Sequence, residues 1–323
     1  MHTSTRDENT NIVGIEELEF GAEDISVGKQ FAEDFGLRPL DDSSVDANIS
    51  GATFETLDGA RLVIRTIDDA ELPPAFEDGS TLRRMTWGVA SADDLDVLRE
   101  RLHNQPGYVD HGDSLECRDP NGLAVCIRPT RLRDVELDVT PINQYGDMRR
   151  VDQPSPVYTQ ATPVGVGHAV FFVDDLEASE TFYRERLGFS VSDRYTDRAV
   201  FLRMQARGGH HNLFLLKLPH RGAGLNHVAF TVRDIHEVIG GGLAMNRRQW
   251  STFLGPGRHP ISSAYFWYVN SPLGGAFEYY TNEDYLTEAW VPREMQHSLE
   301  SFTEWAIEGG IDAETRRQKK ASA

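Results

Sequence analysis

One pattern recurs along this chain and constrains its fold more than any other feature: an alternating apolar strand, an acidic helix cap, an amphipathic helix closed by glycine, then several short strands. The clearest copy is VGVGHAVFFVDDLEASETFYRERLGFSV, in which HAVFFV is the strand, Asp174 or Asp175 caps the helix and Gly188 ends it. A weaker copy, GIEELEFGAEDISVGKQFAEDFGLRPL, opens the N-terminal half with Glu17 where His168 stands. The start of the pattern returns in MTWGVASADDLDVL at 85–98 and in LNHVAFTVRDIHEVI at 225–239. Closing strands match as well: PNGLAVCI at 120–127 parallels PLGGAFEYY at 272–280, which sets Cys126 opposite Glu278. Repetition at this length implies four units, each burying a sheet face against a neighbour.

Between about 131 and 160 the periodicity lapses and Pro141, Pro154, Pro156 and Pro163 gather, the signature of a linker. The chain is therefore expected to divide into a disordered N-terminus (1–11), a first pair of units (12–130), a linker (131–162), a second pair (163–285) and a C-terminal extension (286–323). A length of 323 residues suits two domains, each able to bury a core. Acidic residues outnumber basic ones by 51 to 32, a net charge of -19, which leaves no basic footprint for nucleic acid. With 39% hydrophobic residues and no apolar run of bilayer length, neither disorder nor a membrane class is indicated. The two cysteines, Cys117 and Cys126, and an opening MHTSTRDENTN without an apolar signal region point to a reducing cytoplasm.

His168 lies within GHAVFFV, His227 within NHVAFTV and Glu278 within GGAFEYY. Any one of them alone would more often be a satisfied polar residue in a strand. Together, at matching places in repeated units, they form a set. Four strand-helix-strands units in two pairs resemble the vicinal oxygen chelate superfamily, and this set resembles its type I extradiol ring-cleaving dioxygenases over residues 11–290. The resemblance implies an α+β fold of two domains, each of two βαβββ units forming an incomplete barrel around a cavity, with a metal kept only in the C-terminal one. It makes His168, His227 and Glu278 the ligands of Fe(II), with Mn(II) as the alternative. The donor chemistry agrees: two imidazoles and a carboxylate on one face of an ion leave adjacent positions open, whereas a structural zinc site would have four closed ligands. In the N-terminal units Glu17, Trp87 and Cys126 stand at the matching positions. Tryptophan has no lone pair to give, so that cavity is expected to be metal-free, with Trp87 packed in the core.

Three further residues match the extradiol pattern by position: His211, 16 residues before His227; His259, 19 before Glu278; and Tyr268, ten before Glu278. The resemblance makes His211 the acid-base group near dioxygen, Tyr268 a donor to the diol oxygen and His259 a hydrogen-bonding wall of the same region. His210, beside it, reads as a solvent-facing neighbour. Many relatives carry an acid three positions after the residue equivalent to His259; here Ser262 stands there, which removes a carboxylate partner for that histidine. The implied reaction opens a catechol-type ring beside its diol with O2, giving a semialdehyde or keto acid.

Trp250, Phe253, Phe266 and Trp267 are candidates for the substrate wall or for ordinary packing, and Arg258 for meeting a substrate carboxylate. GGGLAMNRRQWSTFLGPGR, with Arg247 and Arg248, reads as an irregular stretch near the site mouth. In the C-terminal extension, Leu299, Phe302, Trp305 and Ile307 predict an amphipathic helix that covers the cavity or packs between subunits of a homo-oligomer. Two other readings share the fold. A glyoxalase-like isomerase wants a fourth protein ligand, and HHNLFLLKL offers no acid; a metal-free ligand-binding protein of the bleomycin-resistance kind would not need the metal residues intact.

Overall fold

The computed structural model describes residues 10–40 and 51–311. The expectations placed on residues 1–9 and 312–323 lie outside the described residues. The first unit comprises β1 (Ile12–Ala22), α1 (Ile25–Asp34), β2 (Arg38–Pro39), β3 (Gly51–Glu55) and β4 (Arg61–Thr66). The second comprises β5 (Thr81–Val89), α2 (Ala92–Leu102), β6 (Val109–Asp110), β7 (Leu115–Arg118) and β8 (Ala124–Pro129). The third holds β9 (Gly165–Phe172), α3 (Leu176–Thr181), β10 (Ser190–Tyr195), β11 (Ala199–Arg203), the short β12 (Gly208–Gly209) and β13 (Leu213–Leu216). The fourth holds β14 (Gly224–Thr231), α4 (Ile235–Arg247), β15 (Thr252–Arg258), β16 (Tyr265–Asn270) and β17 (Ala276–Thr281). Beyond it come β18 (Tyr285–Leu286), β19 (Arg293–Met295), α5 (Leu299–Phe302) and β20 (Trp305–Glu308).

The fold is α+β, and its two large sheets repeat one plan. The N-terminal order is β2-β3-β4-β1-β5-β8-β7-β6; the C-terminal order, β10-β11-β13-β9-β14-β17-β16-β15, copies it and gains β19 and β20 at its edges. In each sheet the opening strands of two units pair antiparallel, and each opening strand pairs parallel with the closing strand of its own unit. Neither order closes on itself among the described residues, so each sheet is an open, incomplete barrel. The acidic caps act as the sequence suggests: Asp24, Asp175 and Asp234 accept hydrogen bonds from the first-turn amides of α1, α3 and α4.

The two sheets share one buried core. Phe35 of the first unit stacks on Tyr279 of the fourth with centroids 4.0 Å apart, and Tyr279 Oη donates to the Phe35 carbonyl at 2.7 Å. Between β8 and β9 the chain runs without a strand or helix apart from the isolated bridge of Gln144 with Asp147. No described helix is long and apolar enough to cross a membrane.

Two sequence expectations fail here. The glycine-rich stretch is not irregular: Gly240, Gly241 and Gly242 lie inside α4, where a methyl group on Gly242 would strike the indole of Trp267. Glycine is required there by close helix-sheet packing. Arg247 and Arg248 bond to Thr159, Gln160 and Asp34 instead of approaching the site. The expected amphipathic helix of the C-terminal extension reduces to the single turn α5, followed by the edge strand β20. Edge pairing with β15 satisfies the backbone there, and Leu299 and Trp305 are left exposed, so no apolar helical stripe is buried.

Candidate metal centre

Strand register alone brings the three candidate ligands together. Ala229 on β14 pairs with His168 on β9 and with Glu278 on β17, so these residues form one row across the sheet. His227 lies two residues before Ala229 and therefore faces the same side. The row continues to Tyr268 on β16, which pairs with Glu278. At the centre of the row the small Ala229 side chain leaves room between the three larger ones.

The donor atoms converge tightly. Glu278 Oε2 lies 3.1 Å from His168 Nε2 and 3.2 Å from His227 Nε2, and the two nitrogens are 3.3 Å apart. A six-coordinate ion with bonds of about 2.1 Å holds adjacent ligand atoms about 3 Å apart, so this triangle has the dimensions of one octahedral face. All three residues are buried. Burial opposes the charge of Glu278, yet the hydrogen bonds and proximity of His168 and His227 outweigh it and hold the carboxyl at about 2. Burial also pulls His227 below its ordinary value, keeping that imidazole neutral. An ionised carboxylate beside neutral imidazole is the protonation state a divalent cation needs. Among the described residues this is the set of His, Cys, Asp and Glu side chains grouped closely enough to hold a metal. The Nδ1 hydrogen of His227 is directed to Asn226 Oδ1 at 2.6 Å, which presents Nε2 inward.

The other candidate residues surround the same point. The His211 ring lies 4.2 Å from that of His168, and burial lowers its pKa well below the ordinary histidine value. Tyr268 stands 4.9 Å from His227, centroid to centroid, with its hydroxyl 3.0 Å from His259 Nε2. His259 Nδ1 lies 2.8 Å from the Phe302 carbonyl oxygen, which can only accept, so Nδ1 carries the hydrogen and Nε2 accepts from Tyr268. Burial pushes His259 down to about 4 and the Tyr268 phenol well above its usual value, so both are neutral.

The partner missing at Ser262 is thus replaced by a backbone carbonyl of the C-terminal extension. Phe302 and His297 also line the cavity. The sequence offered Phe302 only as part of a segment expected to cover the cavity or an interface and did not single out His297; the role of the Phe302 carbonyl leaves no trace in residue type.

A cavity of about 270 Å³ opens onto the row, walled by Val170, Phe201, Phe214, Leu216, Ile261 and Phe302. Among the described residues neither lysine nor arginine lines it. Of the aromatic residues proposed for its wall only Phe253 lines it. Trp250 packs on Phe31 and donates to Asp34, Trp267 is buried with its indole hydrogen on Thr252, and Phe266 stacks behind His259. Arg258 pairs with Glu304 and stands over Tyr265.

In the N-terminal sheet, Glu17 pairs with Thr86 and Thr86 with Cys126, the row equivalent to His168, Ala229 and Glu278. The residue two before Thr86, matching His227, is Arg84. Trp87 does not occupy that place: it faces the opposite side, fully buried with its ring 5.0 Å from Phe189. Trp87 opposes Ile15 as Phe230 opposes Val166, so Trp87 is the counterpart of Phe230 and the sequence alignment of the two units stood three residues out of step. The core packing expected of Trp87 is what the structure shows.

Comparison with known proteins places these features in context. Residues 165–279 match the family described as the Glyoxalase/Bleomycin resistance protein/Dioxygenase superfamily. Metapyrocatechase 2 of Cupriavidus necator is 31% identical over 180 residues, which cover 53% of this chain and 54% of that protein. The chain thus spans about half the length of this curated relative. Among solved structures, the Mn(II)-bound glyoxalase from Novosphingobium aromaticivorans aligns with a TM-score of 0.71 at 21% identity, covering 93% of each chain. BphC, a halotolerant catechol dioxygenase, aligns with a TM-score of 0.69 at 18% identity, covering 92% of this chain and 94% of the other. At such identities the two structures share the fold with this chain.

Proposed function

We propose that this chain, whose residues 165–279 match the Glyoxalase/Bleomycin resistance protein/Dioxygenase superfamily, is an extradiol dioxygenase. On this reading residues 163–285 are the catalytic half, His168, His227 and Glu278 hold Fe(II) or, alternatively, Mn(II), and residues 12–130 are a metal-free half. The observation that carries it is the open side of the ligand triangle. In the sister unit, Phe214 pairs with Val170 as Glu278 pairs with Ala229, so the place from which a fourth protein ligand would come holds a phenyl ring. An isomerase of this fold wants that fourth donor; a diol and dioxygen want the space.

Bound Fe(II) would supply Lewis-acid binding of both diol oxygens and a route for electrons from the diol to dioxygen. The remaining work falls to the chain. His211, neutral and facing the cavity beside His168, accepts a proton from the diol and returns one as the ring opens. Because the Tyr268 hydrogen is directed to His259, the phenolic oxygen is fixed in place at the row's end, and the pair can reorient to donate toward an anionic diol oxygen. The apolar wall excludes water and holds a flat ring against the row. With no lysine or arginine among the described lining residues to pair a carboxylate, the cavity favours neutral catechols with alkyl or aryl substituents. Two buried or half-buried thiols suit a reducing cytoplasm, and the exposed apolar side chains of Tyr145 and Val157 on the linker support assembly with further copies.

The test is an aerobic spectroscopic screen of Fe(II)-loaded protein against catechol, alkylcatechols, 2,3-dihydroxybiphenyl and 3,4-dihydroxyphenylacetate. Yellow ring-opened products are expected from the neutral diols, with kcat/KM on the order of 100-fold above that for the carboxylate. Absence of product from every diol by metal-loaded protein would remove the dioxygenase reading; preference for the carboxylate would remove the substrate class.

A further inference from the structure

His210 was expected to face solvent, but it is fully buried, as is Asp193 on β10. His210 Nε2 lies 2.8 Å from Asp193 Oδ2, and its Nδ1 lies 3.1 Å from His211 Nδ1. Asp193 is held from the other side by Arg293 of β19, whose backbone amide donates to Oδ1 at 2.7 Å and whose guanidinium Nε lies 3.1 Å from Oδ2. The His210 amide is fixed in turn by Glu283 Oε2 at 2.9 Å. The result is a line of polar contacts from the edge of the sheet to the cavity: Arg293, Asp193, His210, His211.

We propose that Asp193 and His210 are positioning residues that fix the tautomer of His211, so that its bare Nε2 faces the cavity. The donors and acceptors leave little choice. Although burial opposes ionisation of Asp193, hydrogen bonds from His210 and Arg293 hold its pKa below the ordinary value, so it is an acceptor only. His210 Nε2 must then carry a hydrogen. Arg293 already supplies the countercharge, so His210 needs no second proton, and its Nδ1 is an acceptor. His211 Nδ1 must donate to it, and the ring's remaining nitrogen is left with a free lone pair. A carboxylate that sets the tautomer of a histidine, one step removed here, is the logic of hydrolase triads, where the wrong tautomer costs on the order of 10⁴-fold in kcat. The consequence for turnover rests on the dioxygenase reading; the tautomer itself does not.

The experiment uses the full chain loaded with Zn²⁺ as a diamagnetic ion and labelled with ¹⁵N-histidine. Long-range ¹H–¹⁵N correlation then tells a protonated ring nitrogen from a bare one. In the native protein His211 should show hydrogen on Nδ1 and none on Nε2, and His210 the reverse. In Asp193→Asn, Arg293 keeps the amide oxygen and the NH₂ turns to His210 Nε2, so both rings should exchange tautomers. Should Asp193→Asn fail to fold, His210→Phe carries the same test: without its acceptor, His211 should show a mixture.

Hydrogen on His211 Nε2 in the native protein, a doubly protonated His210, or an unchanged His211 pattern in Asp193→Asn (in His210→Phe, where that stands in) overturns the proposal. In ring cleavage, Asp193→Asn should lose on the order of 100-fold in kcat with little change in KM. A native tautomer pattern in a protein inactive on every diol would sink the dioxygenase reading and leave this one standing.

Discussion

The two sheets of this molecule share strand order and pairing, yet they solve the problem of a buried carboxylate in opposite ways. In the N-terminal sheet Glu19 is buried, and Arg84 and Arg65 reach it from neighbouring strands, Arg65 at 2.6 Å. Arg84 also holds Glu116 at 2.9 Å, so one guanidinium closes the network. In the C-terminal sheet the place of Arg84 is taken by His227, and Glu278 faces neutral imidazole with no arginine or lysine among the described residues lining its cavity. One sheet carries its cation on a side chain; the other offers a cation-sized triangle. A buried carboxylate is tolerated only when paired, and the choice between a fixed and an imported cation separates a structural cavity from a reactive one.

The largest effect should come from removing the residue that makes the difference. His227→Ala opens one corner of the triangle, and metal content after anaerobic Fe(II) loading should fall to background with no ring cleavage left. Metal retained at the native level would mean that the three atoms are not the ligand set. The counterpart is Arg84→Met, which leaves Glu19 with Arg65 alone. A stability loss of about 3 kcal/mol is expected from urea unfolding at pH 7, the low end for breaking a buried pair because one partner survives. Burial already raises Glu19 above its ordinary value against the pull of Arg84, and the variant removes that pull. A raised carboxyl binds more protons folded than unfolded, so stability rises as pH falls through the folded pKa. The deficit of Arg84→Met should therefore shrink between pH 7 and pH 5; a deficit that grows would mean the lost interaction was not with a carboxylate.

How much of this was legible beforehand follows from what each feature depends on. His168, His227 and Glu278 could be found because each breaks an apolar strand at a repeated place, and strand periodicity then fixes the face. The β1–β5 register could not be read this way. Aligning MTWGV on LNHVA sets Trp87 on His227, whereas strand pairing, which no residue type marks, sets Trp87 on Phe230 and Arg84 on His227. His210 was misread for a similar reason, since its burial depends on Asp193 and Arg293, 17 and 83 residues away along the chain. Phe302 acts through its carbonyl, which every residue has. Its side chain fitted a helical stripe, but the helix ends at Phe302 after one turn and the chain pairs with the edge of the sheet from Trp305 on.

The smallest effect tests the third position of the row. Cys126 occupies the place of Glu278, and burial pushes its thiol to about 11. At pH 8 the thiolate is then about one part in a thousand, so the thiol neither binds a hard cation nor reacts readily with iodoacetamide. Because its contribution is that of a small hydrophobe, Cys126→Ala should cost about 1 kcal/mol or less and leave metal content and turnover within about twofold of the native protein. Glu278→Ala, the same truncation in the other sheet, should empty the metal site. If Cys126→Ala also lowered metal content, the N-terminal row would be taking part in metal binding, and the division of the molecule into a self-neutralised sheet and a metal-holding one would fail.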